Sequence, residues 1–422
     1  MHALIIGGGI GGLTAALSLQ AAGISCRVFE AATQIAPLGV GINVLPHAVR
    51  ELTELGLADR LAATAIPTAE LVYANRHGQQ IWQEPRGKAA GYHWPQFSIH
   101  RGALQMALLE AAKERLGPAN VVSDHRLTHF EQVGDKVTAT LTRADGTSID
   151  AQGDLLIACD GIHSTVRRRF YPDEGDPIWN GNVLWRGTTL AKPYLTGRSM
   201  VMAGHQAQKF VCYPISRQAE EHGEALINWI AEIRYTDLTS WRREDWNRRA
   251  NLADFLPAFE DWDFGWLKVP DIIRGAKEVF EYPMVDRDPV NAWSFGRVTL
   301  LGDAAHPMYP IGSNGASQAI LDARRLAWYL GTEDSIETAL QAYDSERRPA
   351  TAKIVLANRQ NGPEQAMEMV HERAPDGFDD LHAIVSPKEL AETADHYKSL
   401  AGFDKDTLNN RPSWSVPQPT TG

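Results

Sequence analysis

The segment Met1 to Glu30 constrains this chain more than any other. Ala3-Leu4-Ile5-Ile6 is a short apolar run, and Gly7, Gly9 and Gly12 follow in G-x-G-x-x-G spacing. Leu13 to Ala22 is small, apolar and free of proline, and Gly23 stops it. Cys26-Arg27-Val28-Phe29 is a second β-prone run that ends on Glu30, 18 residues beyond Gly12. The pattern predicts strand, tight turn, helix, strand, acid. Gly7 permits the turn, Gly9 lets a pyrophosphate approach the backbone, and Gly12 lets the helix lie close on the strand. The helix start, with Ile10 and Gly11, offers unpaired N–H groups and the positive end of the helix dipole to phosphates. Glu30 can accept hydrogen bonds from two ribose hydroxyls, which suits an adenosine without a 2′-phosphate. The motif alone leaves FAD and NAD both open.

Composition narrows the alternatives. The 422 residues are enough for two or three domains. A net charge of −11 gives nucleic-acid binding no electrostatic support. Cys26, Cys159 and Cys212 form no C-x-x-C pair and no disulfide framework, as expected in a reducing, cytoplasmic setting. The histidines show no metal-ligand spacing, so no metal is expected. Residues 3–22 carry no charge. Their glycine-rich turn, and the lack of a basic segment before them, argue against a signal peptide. No other stretch reaches the roughly 18 apolar residues of a membrane span.

Further along, the spacing predicts a helix from Pro46 to about Leu55. Strand-like runs follow over 66–97, then an amphipathic helix from Ala103 to Leu116 and strands around 121–132 and 136–142. A turn at Ala144-Asp145-Gly146 leads to the buried-strand pattern Asp154 to Cys159. Residues 178–285 are tryptophan-rich with many short β-prone runs, the mark of a separate sheet. Arg297 to Leu301 returns to the buried-strand type, and helices are expected over 316–330 and 336–357. Residues 361–400 look helical and charged, and the end looks like a loose tail.

Two more motifs follow buried strands directly: Asp160-Gly161-Ile162-His163-Ser164-Thr165-Val166-Arg167, and Gly302-Asp303-Ala304-Ala305-His306-Pro307. After the second come Pro310, Gly312, Gly315 and a helix. Singly, each is a common Asp-Gly turn. Together and in this order they resemble the aromatic-hydroxylase family of single-component flavoprotein monooxygenases, over about residues 1–360. Four stretches are similar to the phenazine-type subgroup that hydroxylates 5-methylphenazine-1-carboxylate: Pro37 to Asn43 (with Gly41), Ser98 to Gly102, Tyr282 to Pro289, and Asn314 to Asp322.

The resemblance implies an α/β fold: a Rossmann-like FAD-binding domain, an inserted mixed β-sheet substrate domain and a C-terminal helical region. The expected division assigns 1–75, 98–177 and 286–360 to the FAD-binding domain, 76–97 and 178–285 to the substrate sheet, and 361–422 to the helical region and tail. Gly7, Gly9, Gly12 and Glu30 would hold the ADP half of FAD. Arg101 and Gln105 would serve the pyrophosphate and a ribityl hydroxyl, Asp160 with Gly161 the pyrophosphate and the neighbourhood of the transient nicotinamide cofactor, and Gly302 and Asp303 a ribityl hydroxyl. Gly312 to Ala316 would set a helix N-terminus against the flavin pyrimidine, favouring the anionic reduced ring. Ser317 stands where many relatives have Asn, and the phenazine-type proteins share it.

The implied chemistry is transfer of hydride from NADH or NADPH to the flavin. Oxygen from O2 then enters an aromatic ring through a flavin C4a-hydroperoxide, with no protein nucleophile. One G-x-G-x-x-G implies that the nicotinamide binds transiently. Trp185, Arg186, Met202, His205, Tyr213, Met284 and Pro310 are candidate substrate walls, each with core packing as its alternative. Arg186 beside Trp185 suits a carboxylate on a flat ring. The expected substrate is a fused-ring, phenazine-like carboxylate, with a single-ring phenol or benzoate as the competitor. A halogenase would need a W-x-W-x-I-P segment, which is missing. A non-catalytic flavin carrier would need no open path above the flavin.

Overall fold

Three glycine motifs far apart in sequence end three strands that are neighbours in one sheet. The six strands run in the order Ser294–Phe295, Val298–Leu300, Leu155–Ala158, His2–Ile6, Ser25–Phe29, Val121–Val122. All pair in parallel except the Ser294–Phe295 edge. Ala3 sits beside Leu155 on one side and Cys26 on the other. Leu155 to Ala158 are fully buried, as unbroken apolar runs are when a parallel sheet is covered on both faces. Side by side, these strands deliver Gly7, Asp160 and Gly302 to one carboxyl edge, where open α/β sheets bind ligands. The computed structural model describes residues 1–236 and 248–417. Positions 237–247, inside the expected substrate sheet, and the tail from 418 lie outside the described residues.

Helix Ile10–Ala21 lies buried along most of its length, so its sequence is apolar all round rather than striped. Helices Pro46–Glu54, Arg101–Leu116, Gly315–Thr332 and Ile336–Arg359 fall where the periodicity puts them. The run after residue 121 differs. Val121–Val122 joins the central sheet, while Arg126–Val133, Lys136–Thr142 and Ser148–Gly153 form a separate antiparallel sheet. The third of these strands is half exposed and polar, and the turn at Ala144-Asp145-Gly146 is the hairpin that makes it.

A seven-stranded mixed sheet runs Val279–Asp286, Ile178–Ala191, Ala225–Arg234, Gln208–Pro214, Ser199–His205, Glu70–Ala74, Gln80–Pro85. Glu70–Ala74 pairs in parallel with Ser199–His205, so the sheet reaches back to residue 70 rather than starting at 76. Gln96–His100, by contrast, pairs with Gly41–Val44 and Ile66–Thr68 in a small sheet beside the first domain. One face of the large sheet packs on Phe255, Phe259, Trp262 and Ile273. Its other face, with Leu71, Tyr73, Met200 and Met202, is covered by Met367, Val370 and Leu390 of the C-terminal helices Gln365–Arg373 and Pro387–Leu400. Among the described residues no helix is long and apolar enough to cross a membrane.

Candidate active site

Gly7 has φ of 109°, and a Cβ there would lie 2.2 Å from the Cys159 carbonyl oxygen. A Cβ on Gly12 would lie 2.0 Å from the Gly7 oxygen, and one on Gly11 3.0 Å from Leu301. These glycines let the first helix approach the strands. Gly9 is different: a Cβ there meets no protein atom within 4 Å. Gly9 is also the helix N-cap, and its helix, starting at Ile10, has no side-chain cap. The space and the free N–H groups fit a pyrophosphate. Glu30 accepts from Gly8 N–H at 2.7 Å and Ala32 N–H at 2.8 Å, one bond per oxygen. Each oxygen keeps a lone pair for a ribose hydroxyl. Gln105 donates to the Gly8 carbonyl at 2.8 Å, bracing the turn.

Asp160 accepts from Thr165 N–H at 2.8 Å through one oxygen, while its other oxygen is buried and unpartnered. Burial raises its carboxyl above the ordinary range against its hydrogen bonds to Ser164 and Thr165. Such an orphaned acceptor is costly unless a ligand or water serves it. Gly161 and Gly302 take left-handed φ of 78° and 61°. Asp303 is exposed at the carboxyl edge of the sheet, beside buried Gly302 and Ala304. Burial raises its carboxyl, while His306 and Arg101 pull it down.

Two buried networks brace these motifs. Arg167, 1% exposed, donates to the Ala305 and Ala304 carbonyls at 2.7 and 3.2 Å and to that of Asp288 at 2.9 Å, with its ion-pair partner Glu174 alongside. It ties the second motif to the third. Asp322 is fully buried and holds His306 at 2.5 Å, Arg347 at 2.7 Å and Gly302 N–H at 3.3 Å. Burial pushes its carboxyl up, but His306 and Arg347 outweigh that and hold it low. Neither brace is readable as a site from sequence, because each joins residues more than a hundred positions apart or lies one turn below a motif.

The turn before helix Gly315–Thr332 has Gly312 and Ser313 at φ of 68° and 56°. Gly315 and Ala316 open the helix, and Pro310 is exposed. Ser317 is fully buried, and its hydroxyl accepts from Leu45 N–H at 3.2 Å, tying this helix to strand Gly41–Val44. The Gly41 peptide is held from both sides: Arg186 donates to its carbonyl, and its N–H donates to Asn228, each at 2.7 Å.

The candidate wall residues divide between two faces. Trp185 does not face the cleft. It is 2% exposed, stacks on Phe255 at 4.8 Å and belongs to the core behind the sheet. Neighbours on a strand point to opposite faces, so Arg186 faces the Gly41 side and Trp185 cannot. His205 lies elsewhere, lining a separate pocket with Lys209 and Glu232. It stacks on His371 at 3.7 Å, and burial with that neighbour lowers its imidazole to about 4. Tyr213 is buried, its hydroxyl pKa raised by burial and opposed by Arg186. Met284 packs with Tyr309 and Ile311. Met202 alone of the seven lines a partly open cleft with Tyr73, Met200, Gly312, Ser313 and Tyr397 among its other walls. The sequence missed Tyr397, whose hydroxyl accepts from Asn314 at 3.0 Å and donates to Asn358 at 2.9 Å. A Cβ on Gly312 would lie 2.2 Å from it.

Glu30→Ala and Asp303→Ala are each expected to weaken FAD retention tenfold or more. The basis is roughly 1.5–3 kcal/mol per charged hydrogen bond lost. FAD content after gel filtration is the readout; two variants that keep FAD like the wild type would leave both acids purely structural.

A family model described as "FAD binding domain" matches residues 1–256 and 267–358. Over 360 residues the chain is 47% identical to phenazine 1,6-dicarboxylic acid hydroxylase PhzS of Lysobacter antibioticus, covering 84% of this chain and 88% of that one. It is 34% identical over 420 residues to 3-amino-4-hydroxybenzoate 2-monooxygenase PtmB3 of Streptomyces platensis, covering 96% and 97%. The crystal structure of Klebsiella pneumoniae HpxO complexed with FAD and uric acid matches with a TM-score of 0.71 at 25% identity, covering 97% and 95%. The chain belongs to the FAD-binding-domain family and, within it, to the FAD-dependent aromatic hydroxylases.

Proposed function

We propose that this hydroxylase consumes NADH or NADPH and O2 to insert one oxygen atom into a planar fused-ring aromatic carboxylate of the phenazine type. The observation that carries the substrate class is the 47% identity to a phenazine dicarboxylic acid hydroxylase across most of both chains. Bound FAD supplies the hydride acceptor and the oxygen-activating ring. The protein's part is to hold and orient. Gly9 and the start of helix Ile10–Ala21 receive the pyrophosphate, with Arg101 and Asp160 nearby. Glu30 takes the ribose, and Asp303 a ribityl hydroxyl. The N-terminus of helix Gly315–Thr332 would favour negative charge on a flavin ring held there. The large sheet then forms the substrate side and the three-motif domain the FAD side. Free Cys26, Cys159 and Cys212 suit a reducing, cytoplasmic setting.

The second reading, a single-ring benzoate, is favoured by the 34% identity to an aminohydroxybenzoate monooxygenase over nearly the whole chain. A panel of fused-ring and single-ring acids separates the two, scored by flavin reduction rate and by oxygenated product. Fused-ring acids are expected to accelerate reduction by NADH or NADPH and to give coupled product. Coupled hydroxylation of single-ring acids alone would replace the first reading with the second.

A further inference from the structure

We propose that Arg86 and Lys398, arranged around Glu84, form the pole that holds the anionic substituent of the substrate, so that the C-terminal helix supplies part of the substrate site. The proposal rests on the reading that the ligand is an aromatic acid.

All three side chains line the cleft that Gly312 and Ser313 also line. Glu84 is 6% exposed. One of its oxygens meets Arg86 at 2.5 Å and the other meets Lys398 at 2.6 Å. Burial pushes the Glu84 carboxyl up, but Arg86 and Lys398 overcome this and hold it low. It is therefore ionised, and two cations face one anion. The remaining carboxylate near Lys398, Asp395 at 3.4 Å, is 77% exposed and largely screened by water. Arg86 and Lys398 thus set a cationic pole in a cleft whose other walls include Leu71, Tyr73, Met200, Met202, Gln96, Ser313 and Tyr397.

The donors are also incompletely used. Arg86 is 13% exposed, and its Nε is buried without a hydrogen-bond partner. Gln96, 2% exposed, lines the same cavity, and its side-chain oxygen is buried and unpartnered too. These are two of eleven such atoms among the described residues, and both belong to side chains that line this one cleft, which marks a place for a polar ligand group. A guanidinium with a free edge beside an ammonium matches a carboxylate. Glu84 keeps both cations in place before the ligand arrives. Arg186 also leaves its Nε buried and unpartnered, but it donates to the Gly41 carbonyl and is not among the walls of this cleft.

The test uses the FAD-loaded full chain and phenazine-1-carboxylate, with its carboxamide as the neutral probe, read by flavin absorbance titration. The wild type is expected to bind the acid at least roughly tenfold more tightly than the amide, as expected for one charged hydrogen bond. Arg86→Gln and Lys398→Met are each expected to weaken acid binding roughly 10–100-fold, with little change for the amide, and Arg86→Lys to recover part of the loss. FAD content and Tm report folding. Acid binding unchanged in both variants, or lost equally with amide binding, overturns the pole alone. Equal wild-type affinity for acid and amide overturns it even if the variants fail to fold. A wild type that binds no aromatic acid overturns this proposal and the functional reading together.

Discussion

Gly12→Ala is expected to lower the stability of the fold sharply, whereas Gly9→Ala is expected to fold normally and fail to keep FAD. The two positions lie in one motif but do different jobs. A Cβ on Gly12 would stand 2.0 Å from the Gly7 carbonyl oxygen, a backbone atom held by the central sheet. Relief requires the first helix to move off its strand, and overpacking of this kind costs about 1–3 kcal/mol or more. That is a large share of the roughly 5–15 kcal/mol that keeps a protein folded. At Gly9, φ is −77°, which any residue adopts, and the added Cβ meets no protein atom within 4 Å. The methyl would occupy the space in which a pyrophosphate approaches the backbone. Apoprotein Tm and FAD dissociation constant, measured on both variants, separate the roles. Similar Tm values for the two variants would refute the division.

Asp322→Ala should be the most damaging side-chain deletion beneath the site. It leaves Arg347 and His306 buried without their carboxylate and removes the acceptor of Gly302 N–H. Breaking a buried ion pair by removing one partner costs about 3–5 kcal/mol. Asp322→Asn, which keeps the shape and one acceptor, should recover part of this. Because the Asp322 carboxyl is held below its ordinary range, its stabilisation is fully present above the unfolded value of about 3.9. It is lost as pH falls from there through the folded value, so the wild type and Asp322→Asn should converge in acid. A Tm for Asp322→Ala equal to that of the wild type would contradict the network's role.

Particular residues show what the sequence could carry. The first motif is local, so strand, turn, helix and acid are all readable within thirty positions. The second and third motifs are local as well, and each follows a buried strand. That the three strands are neighbours is a matter of topology, and the resemblance supplied it. Trp185 was misassigned for a reason visible in the sequence: in a strand, Trp185 and Arg186 cannot share a face. Arg86, Lys398 and Tyr397 were out of reach for a different reason. Arg86 and Lys398 meet across 312 positions, through a C-terminal helix whose own pattern says only that it is charged and amphipathic. Arg167 and Asp322 lie within the second motif and the Asn314 to Asp322 stretch, yet nothing local distinguishes a brace from a surface charge.

The most direct test is turnover of the FAD-loaded enzyme with phenazine-1-carboxylate and NADH or NADPH under isotopically heavy dioxygen. The expected result is a product carrying one heavy oxygen atom, formed in step with nicotinamide oxidation. Nicotinamide oxidation that yields only hydrogen peroxide with every fused-ring acid, or product oxygen drawn from water, would contradict it.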